Sequence, residues 1–258
     1  MIKKTLTALV LAALSGAVQA DASLNFVDPA SGAWQSRISV AGDRLRVDAA
    51  GAVGGSYVVL DLRTRTLTQI DPAARATSSS SIEQVQTLVR SITQAADPAS
   101  QPLLQLALEN LPDAQRTQAE SLLRQSQRDE VIPYAATDRH DQVAGYPCTI
   151  YRQQSDTGDR REVCAAAYGD LKLAPGDTRT LQTALGLLRD TGGPWLRVAE
   201  VPGLPIRYAG SYGGQAYAGS GQLQSISHAA LPVANFDDPP GYRIISLFDM
   251  LSLMGEAR

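Results

Sequence analysis

The chain has 258 residues and a formal charge of −3 at pH 7. Hydrophobic residues make up 44% and charged residues 19%, which supplies a buried core and excludes a disordered, collagen-like or polytopic membrane chain. A mildly acidic surface does not attract phosphate backbones, so nucleic-acid binding is not expected.

Residues 1–20 read as a removable signal peptide. Lys3 and Lys4 form a positive n-region, and Leu6 to Leu14 is a short apolar h-region. Val18-Gln19-Ala20 is an A-x-A-like cleavage site, so processing after Ala20 is expected. No cysteine follows that site, so no lipid anchor is expected there. No later segment has the ~18 consecutive apolar residues of a membrane helix. The expected mature protein, residues 21–258, is soluble and periplasmic and forms one domain. It contains a single lysine, Lys172, on which any Schiff-base or P-loop chemistry would have to rest.

The first block, about 22 to 77, alternates as a β-meander. Its strands are Ser23–Val27, Trp34–Val40, Arg44–Asp48, Tyr57–Leu62 and Thr66–Ile70. Tyr57–Leu62 is nearly continuous in apolar residues, as in a strand covered on both faces. A helical insert is expected over about 78–132, with N-caps from Ser78–Ser81 and a Leu-rich piece from Leu103 to Leu111. The insert is a candidate cover, lid or plug for the sheet. From about 134 the chain returns to strands, with a helix near 177–190 and a closing helix over 245–254. Strands followed by helices and then strands predict an α+β fold with an antiparallel sheet.

The mature chain has two cysteines, Cys148 and Cys164. Two strand-like segments flank the turn cluster Ser155–Asp159, and a hairpin centred on Asp156 sets the cysteines opposite each other. An exported even pair without a C-x-x-C motif reads as a structural disulfide. With only His140 and His228 available, the pair makes a poor zinc set.

Catalytic motifs are absent: no G-x-S-x-G, G-x-G-x-x-G, Walker-type loop or H-E-x-x-H occurs. His140, between Asp138 and Asp141, reads as an exposed strand edge. His228 reads as a half-buried sheet residue. Either could serve a hydrolase only with a Ser or Cys nucleophile in hydrogen-bond reach. Asp237-Asp238 reads as a turn cap, with calcium as a weak rival. Arg44/Arg46 and Arg63/Arg65 stand at i, i+2, so each pair is expected to share a sheet face. That face is either simply exposed or contacts an anionic head group or a partner.

Several segments together resemble a known group. Gly42-Asp43-Arg44-Leu45-Arg46-Val47-Asp48, Tyr57–Leu62 and Leu67–Pro72 are similar to the hairpin and following strand pair of periplasmic lipoprotein-carrier (LolA-like) domains. Val143–Tyr151, Cys164 and Phe236–Tyr242 resemble signatures of an uncharacterised bacterial family within that superfamily. The resemblance implies a strongly curved antiparallel sheet, an incomplete barrel, covered or plugged by helices. It implies no catalytic residue and no cofactor.

The leading expectation is therefore a non-enzymatic periplasmic protein that binds an apolar ligand, a lipid or lipoprotein acyl chain, in a concave sheet. Candidate lining residues are Phe26, Trp34, Ile38, Tyr57, Val59, Leu104 and Leu108, all equally good core residues. The alternative is an envelope interaction or scaffold protein with a filled core that binds a protein partner.

Overall fold

The computed structural model describes residues 21–87, 116, 133–154, 160–190, 201–212, 215–216, 220–247 and 249–250. The alternating segments form the expected meander: β1 (Ala22–Val27), β2 (Trp34–Ala41), β3 (Arg44–Ala49), β4 (Tyr57–Asp61) and β5 (Thr66–Asp71). A sixth strand, β6 (Ala76–Ser81), extends it. The serines expected to cap a helix instead pair with β5, Ser78 opposite Gln69 and Ser80 opposite Leu67. Only Ser81 caps. Its Oγ accepts from the Gln84 amide at 3.1 Å, and its own amide donates to Gln84 Oε1 at 2.9 Å. This reciprocal box starts helix α1 at residue 82, four residues later than the sequence suggests. Of the expected insert, α1 is described to residue 87; the Leu-rich piece lies outside the described residues.

The second half supplies β7 (Ala135–Val143), β8 (Tyr146–Gln154), β9 (Arg160–Ala166), helix α2 (Pro175–Asp190), β10 (Leu204–Tyr212), β11 (Gln215–Ala216), β12 (Gly221–Ser227) and β13 (Arg243–Ile244). All join one sheet in the order β13-β6-β5-β4-β3-β2-β1-β12-β10-β9-β8-β7, with β11 beside β10. Every pair is antiparallel except β13 with β6. The fold is thus α+β with the sheet dominant. The sheet is also curved. Arg207 on β10 reaches Asp141 on β7 at 2.8 Å, although β9 and β8 lie between them. On a flat sheet three strand spacings would hold those backbones ~14 Å apart.

The period of two sorts side chains onto two faces. Leu24, Ile38, Val47, Leu45, Leu60 and Leu67 share the inner face, continued by Ile150, Cys164, Ile206 and Leu223 into one cluster. Leu181 and Ala184 of α2 complete it. On the outer face Val59 and Ile70 pack under Phe236 in a second cluster. Tyr57–Leu62 is indeed covered on both sides: Val59 faces out, Leu60 in, and both are buried.

The outer cover is a C-terminal strap, residues 231–245. Its β13 main chain is held by amide donation from Arg243 to Arg75 O and from Ile245 to Thr77 O, each at 2.9 Å. Arg44 and Arg46 do share a face, but that face lies beneath the strap. Arg44 pairs with Asp237 at 2.7 Å. Arg46 stacks 3.6 Å above the Tyr57 ring, pairs with Asp48 at 2.6 Å and donates to Asn235 O at 2.9 Å. Arg63 and Arg65 do not share a strand face. Both sit in the β4–β5 turn, where Arg65 adopts φ 54° and pairs with Glu83 at 2.6 Å.

Cys148 and Cys164 form the disulfide, with Cα atoms 5.4 Å apart. The register differs from the expected one. Cys164 stands opposite Ile150, so Cys148 lies one same-face position along the strand. The bond is diagonal across the inner face, and both cysteines are buried. Replacing both cysteines by alanine should cost about 3 kcal/mol in the chain-entropy account. Urea unfolding with and without reductant measures it, and the alanine pair should abolish the response to reductant. Arg46→Ala should cost about 1–2 kcal/mol by removing the stack and two hydrogen-bonded contacts. Hydrogen exchange at the Arg243 and Ile245 amides should quicken as the strap loosens.

Candidate functional site

The described chain contains a cavity of about 370 Å³ at one end of the meander. Two hairpin turns build its floor. Gly42, at φ 58°, lets β2 reverse into β3. Asp61 Oδ1 accepts from the Thr64 amide at 2.9 Å and shapes the β4–β5 turn. Because Arg44 pairs with Asp61 across β3 and β4, the turns are neighbours, and the Leu62 amide donates to Asp43 O at 2.9 Å. The strap forms one wall through Leu231 and Val233. Asp21, at the head of β1, joins the two parts by accepting from the Leu231 amide at 2.6 Å.

The lining is Asp21, Ala41, Asp43, Arg44, Asp61, Arg63, Leu231 and Val233. Arg44 is drawn aside by Asp237 at 2.7 Å. The charge left over is negative, with Arg63 as the cation not tied to a carboxylate in a described ion pair. Such a cleft suits an ammonium or guanidinium group and does not suit an acyl chain.

Helix α2 brings a further carboxylate close. Its Thr180 hydroxyl donates to Gly42 O at 2.6 Å, fixing the second turn of the helix against the β2–β3 hairpin. Asp177, one turn earlier, is 2% exposed, and its Oδ2 has no hydrogen-bond partner. Its carboxyl is pushed up to about 6, first by burial and then by the charge of Asp21, while His228 pulls the other way. Among the described residues no group of three or more His, Cys, Asp or Glu is placed to hold a metal ion.

The residues singled out in the sequence scatter. Phe26 and Ile38 belong to the inner cluster, whereas Tyr57 and Val59 belong to the outer one. These four do not line one space. Trp34 is 42% exposed. Leu104 and Leu108 lie outside the described residues. His140 is exposed on terminal strand β7, its Nδ1 3.3 Å from Thr149 Oγ1. His228 is exposed beyond the end of β12, not half-buried within a strand. Asp237 binds Arg44 instead of capping a turn through its side chain.

Sequence reading missed Asp21 and Asp177. A signal for each was present. Asp21 follows the expected cleavage site, and Asp177 stands four and seven residues before Leu181 and Ala184, on the same apolar stripe of α2. A carboxylate on that stripe has to be buried.

No helix among the described residues is long and apolar enough to cross a membrane, and the disulfide fits a periplasmic or extracellular location. No protein-family model matches the chain, and no curated protein matches it. Solved structures do match. Two structures of PNGF-II, in space groups C2 and P21, align with TM-scores of 0.44 and 0.43 at 9% identity, covering 93% of this chain. The chain spans only 33% and 34% of their length. An uncharacterised conserved protein from Thermus thermophilus aligns with a TM-score of 0.40 at 6% identity, covering 89% of this chain and 91% of that one.

Proposed function

We propose that the chain is an exported, non-enzymatic periplasmic protein with a lipoprotein-carrier-like incomplete barrel, plugged by helices, that works by binding a protein partner. The observation that supports this reading is the filled inner face. Phe26 is 3% exposed and Leu24, Ile206 and Leu223 are 0% exposed, packed in one cluster with α2. The described cavity lies elsewhere and is lined by charge. At its wall the strap contributes the apolar side chains Leu231 and Val233, the latter 63% exposed. An acidic cleft with an apolar rim fits a basic, partly apolar segment of a partner.

A second reading, an acyl ligand on the inner face, has its own support. That face is apolar from Leu67 to Val143, and Ile82 at the start of α1 is buried in the same cluster. Displacing the described start of α1, with Ile82, would uncover part of that apolar face. Native mass spectrometry of protein exported to the periplasm separates the two readings. The partner reading expects a clean apo mass and a protein cross-linked to a photoreactive residue at position 233. Arg63→Glu, which removes a cleft cation, should change the yield of that cross-link at least severalfold. An acyl species that co-purifies in repeated preparations would overturn the partner reading in favour of the carrier.

A further inference from the structure

The export reading has a chemical consequence at the cleft. Asp21 would be the first residue after cleavage at Ala20. It is not on a loose tail: it is 7% exposed, Ala22 is 0% exposed, and its carboxylate is bonded to the strap at Leu231. Hydrolysis of the Ala20–Asp21 peptide bond by a signal peptidase adds one water. It leaves a carboxylate on Ala20 and an α-amine on Asp21. That amine gains a proton below about pH 8. A new cation therefore forms at a fixed, largely buried place lined by carboxylates.

Close to it stands a carboxylate with no described ion-pair partner. Asp177 is 2% exposed and its Oδ2 has no partner. A buried carboxylate left this way costs several kcal/mol unless it is protonated or paired. The charged groups of neighbouring elements that act on it are Asp21 on β1 and His228 after β12. Around Asp21, the two hairpin turns contribute Asp43, Arg44, Asp61 and Arg63. Of the two arginines, Arg44 is engaged by Asp237 and Arg63 is exposed. We propose that the α-ammonium created on Asp21 by signal-peptide removal is the counter-ion of Asp177, so that proteolytic maturation locks α2, β1 and the strap together. This rests on the export reading, specifically on cleavage after Ala20.

The precursor and the mature form then differ in sign. Without the ammonium, Asp177 holds its proton up to about pH 6 when folded, against an ordinary value of 3.8. The folded state binds the proton more tightly. That stability is complete below about pH 4 and is lost as pH rises through 6. With the ammonium present, Asp177 stays ionised and this decline disappears. Stability falls instead as pH rises above about 8, the ordinary value of the amine, and through the higher value it takes when paired.

The experiment compares exported protein with a form carrying extra residues ahead of Asp21, each with and without Asp177→Asn. Terminal sequencing of the exported form comes first. A start other than Asp21 overturns both the cleavage reading and the proposal. With Asp21 first, urea unfolding should show Asp177→Asn raising the unfolding constant of the mature form about a hundredfold, and lowering that of the extended form. The same sign in both forms would overturn the pairing and leave the export reading standing. A second readout does not depend on stability. After residue 20 the only lysine is Lys172, so reductive ¹³C-methylation labels two amines. The α-amine signal should titrate above its ordinary range and return towards it in Asp177→Asn. An α-amine that titrates alike in both also overturns the pairing.

Discussion

The sheet depends on β1. Five strands of the N-terminal meander stand on one side of it, and β12, β10, β9, β8 and β7 stand on the other. Among the described residues the main-chain link between the two halves in this strand order is β1 with β12, Ser23 opposite Ser227 and Leu24 opposite Ile226. That pairing joins residues about two hundred positions apart. Its loop-closure entropy has to be met before the contacts it makes can repay it. The compensation is visible in burial: Ala22 and Leu24 are 0% exposed and Phe26 is 3% exposed, the density expected of a central strand. β1 also fixes Asp21, so the placement of the cleft follows from the same pairing that closes the sheet.

Alternation then assigns everything else. A slip of one residue in β2 to β5 would exchange Leu45 and Leu60 with Arg44, Arg46 and Val59. The two faces are covered by different means, and this makes such a slip costly. The inner face needs apolar neighbours and receives α2. The outer face carries Arg46, Asp48, Thr68 and Tyr57 among its apolar residues and is covered by a strap that can answer polar groups with main-chain oxygens and Asp237. Arg46 shows the difference. Its guanidinium is half stacked on Tyr57 and half hydrogen-bonded, an arrangement for which a lysine would be a poor substitute.

The sequence pattern showed the meander, α2, the cysteine hairpin and the α+β class, because period-two alternation and turn residues are local signals. It misplaced β6 because Ser78–Ser81 is ambiguous. Serine caps helices, but Thr68 Oγ1 and Ser79 Oγ lie 2.6 Å apart across the sheet, a pairing that only the neighbouring strand makes favourable. It placed the disulfide correctly and its register two residues off, since the number of turn residues is not fixed by the positions of the cysteines. The lining candidates failed to converge for a related reason. Apolar character marks Phe26 and Val59 alike, but which face each takes depends on register and on a bulge after Asn25. The strap was legible as a turn at Asp237-Asp238 and as the resemblance at Phe236–Tyr242, but not as a cover; its contacts with Arg44 and Arg46 span some 190 positions.

Helix α2 explains why charge gathers where it does. Its inward stripe runs through Asp177, Thr180, Leu181 and Ala184, spaced three and four apart. Leucine and alanine on that stripe enter the inner cluster. The N-terminal part of the helix reaches the strand ends where the β2–β3 hairpin turns back, and Thr180 answers the Gly42 carbonyl there. Asp177 suits the positive end of the helix dipole, worth typically under ~1 kcal/mol. That is smaller than the cost of burying a carboxylate oxygen unpaired, so the dipole alone does not account for an acid at this position. An apolar residue would fill the stripe more cheaply. The charges that act on Asp177 from neighbouring elements are Asp21 at the head of β1 and His228 beyond β12, so a positive group at either place would offset that cost.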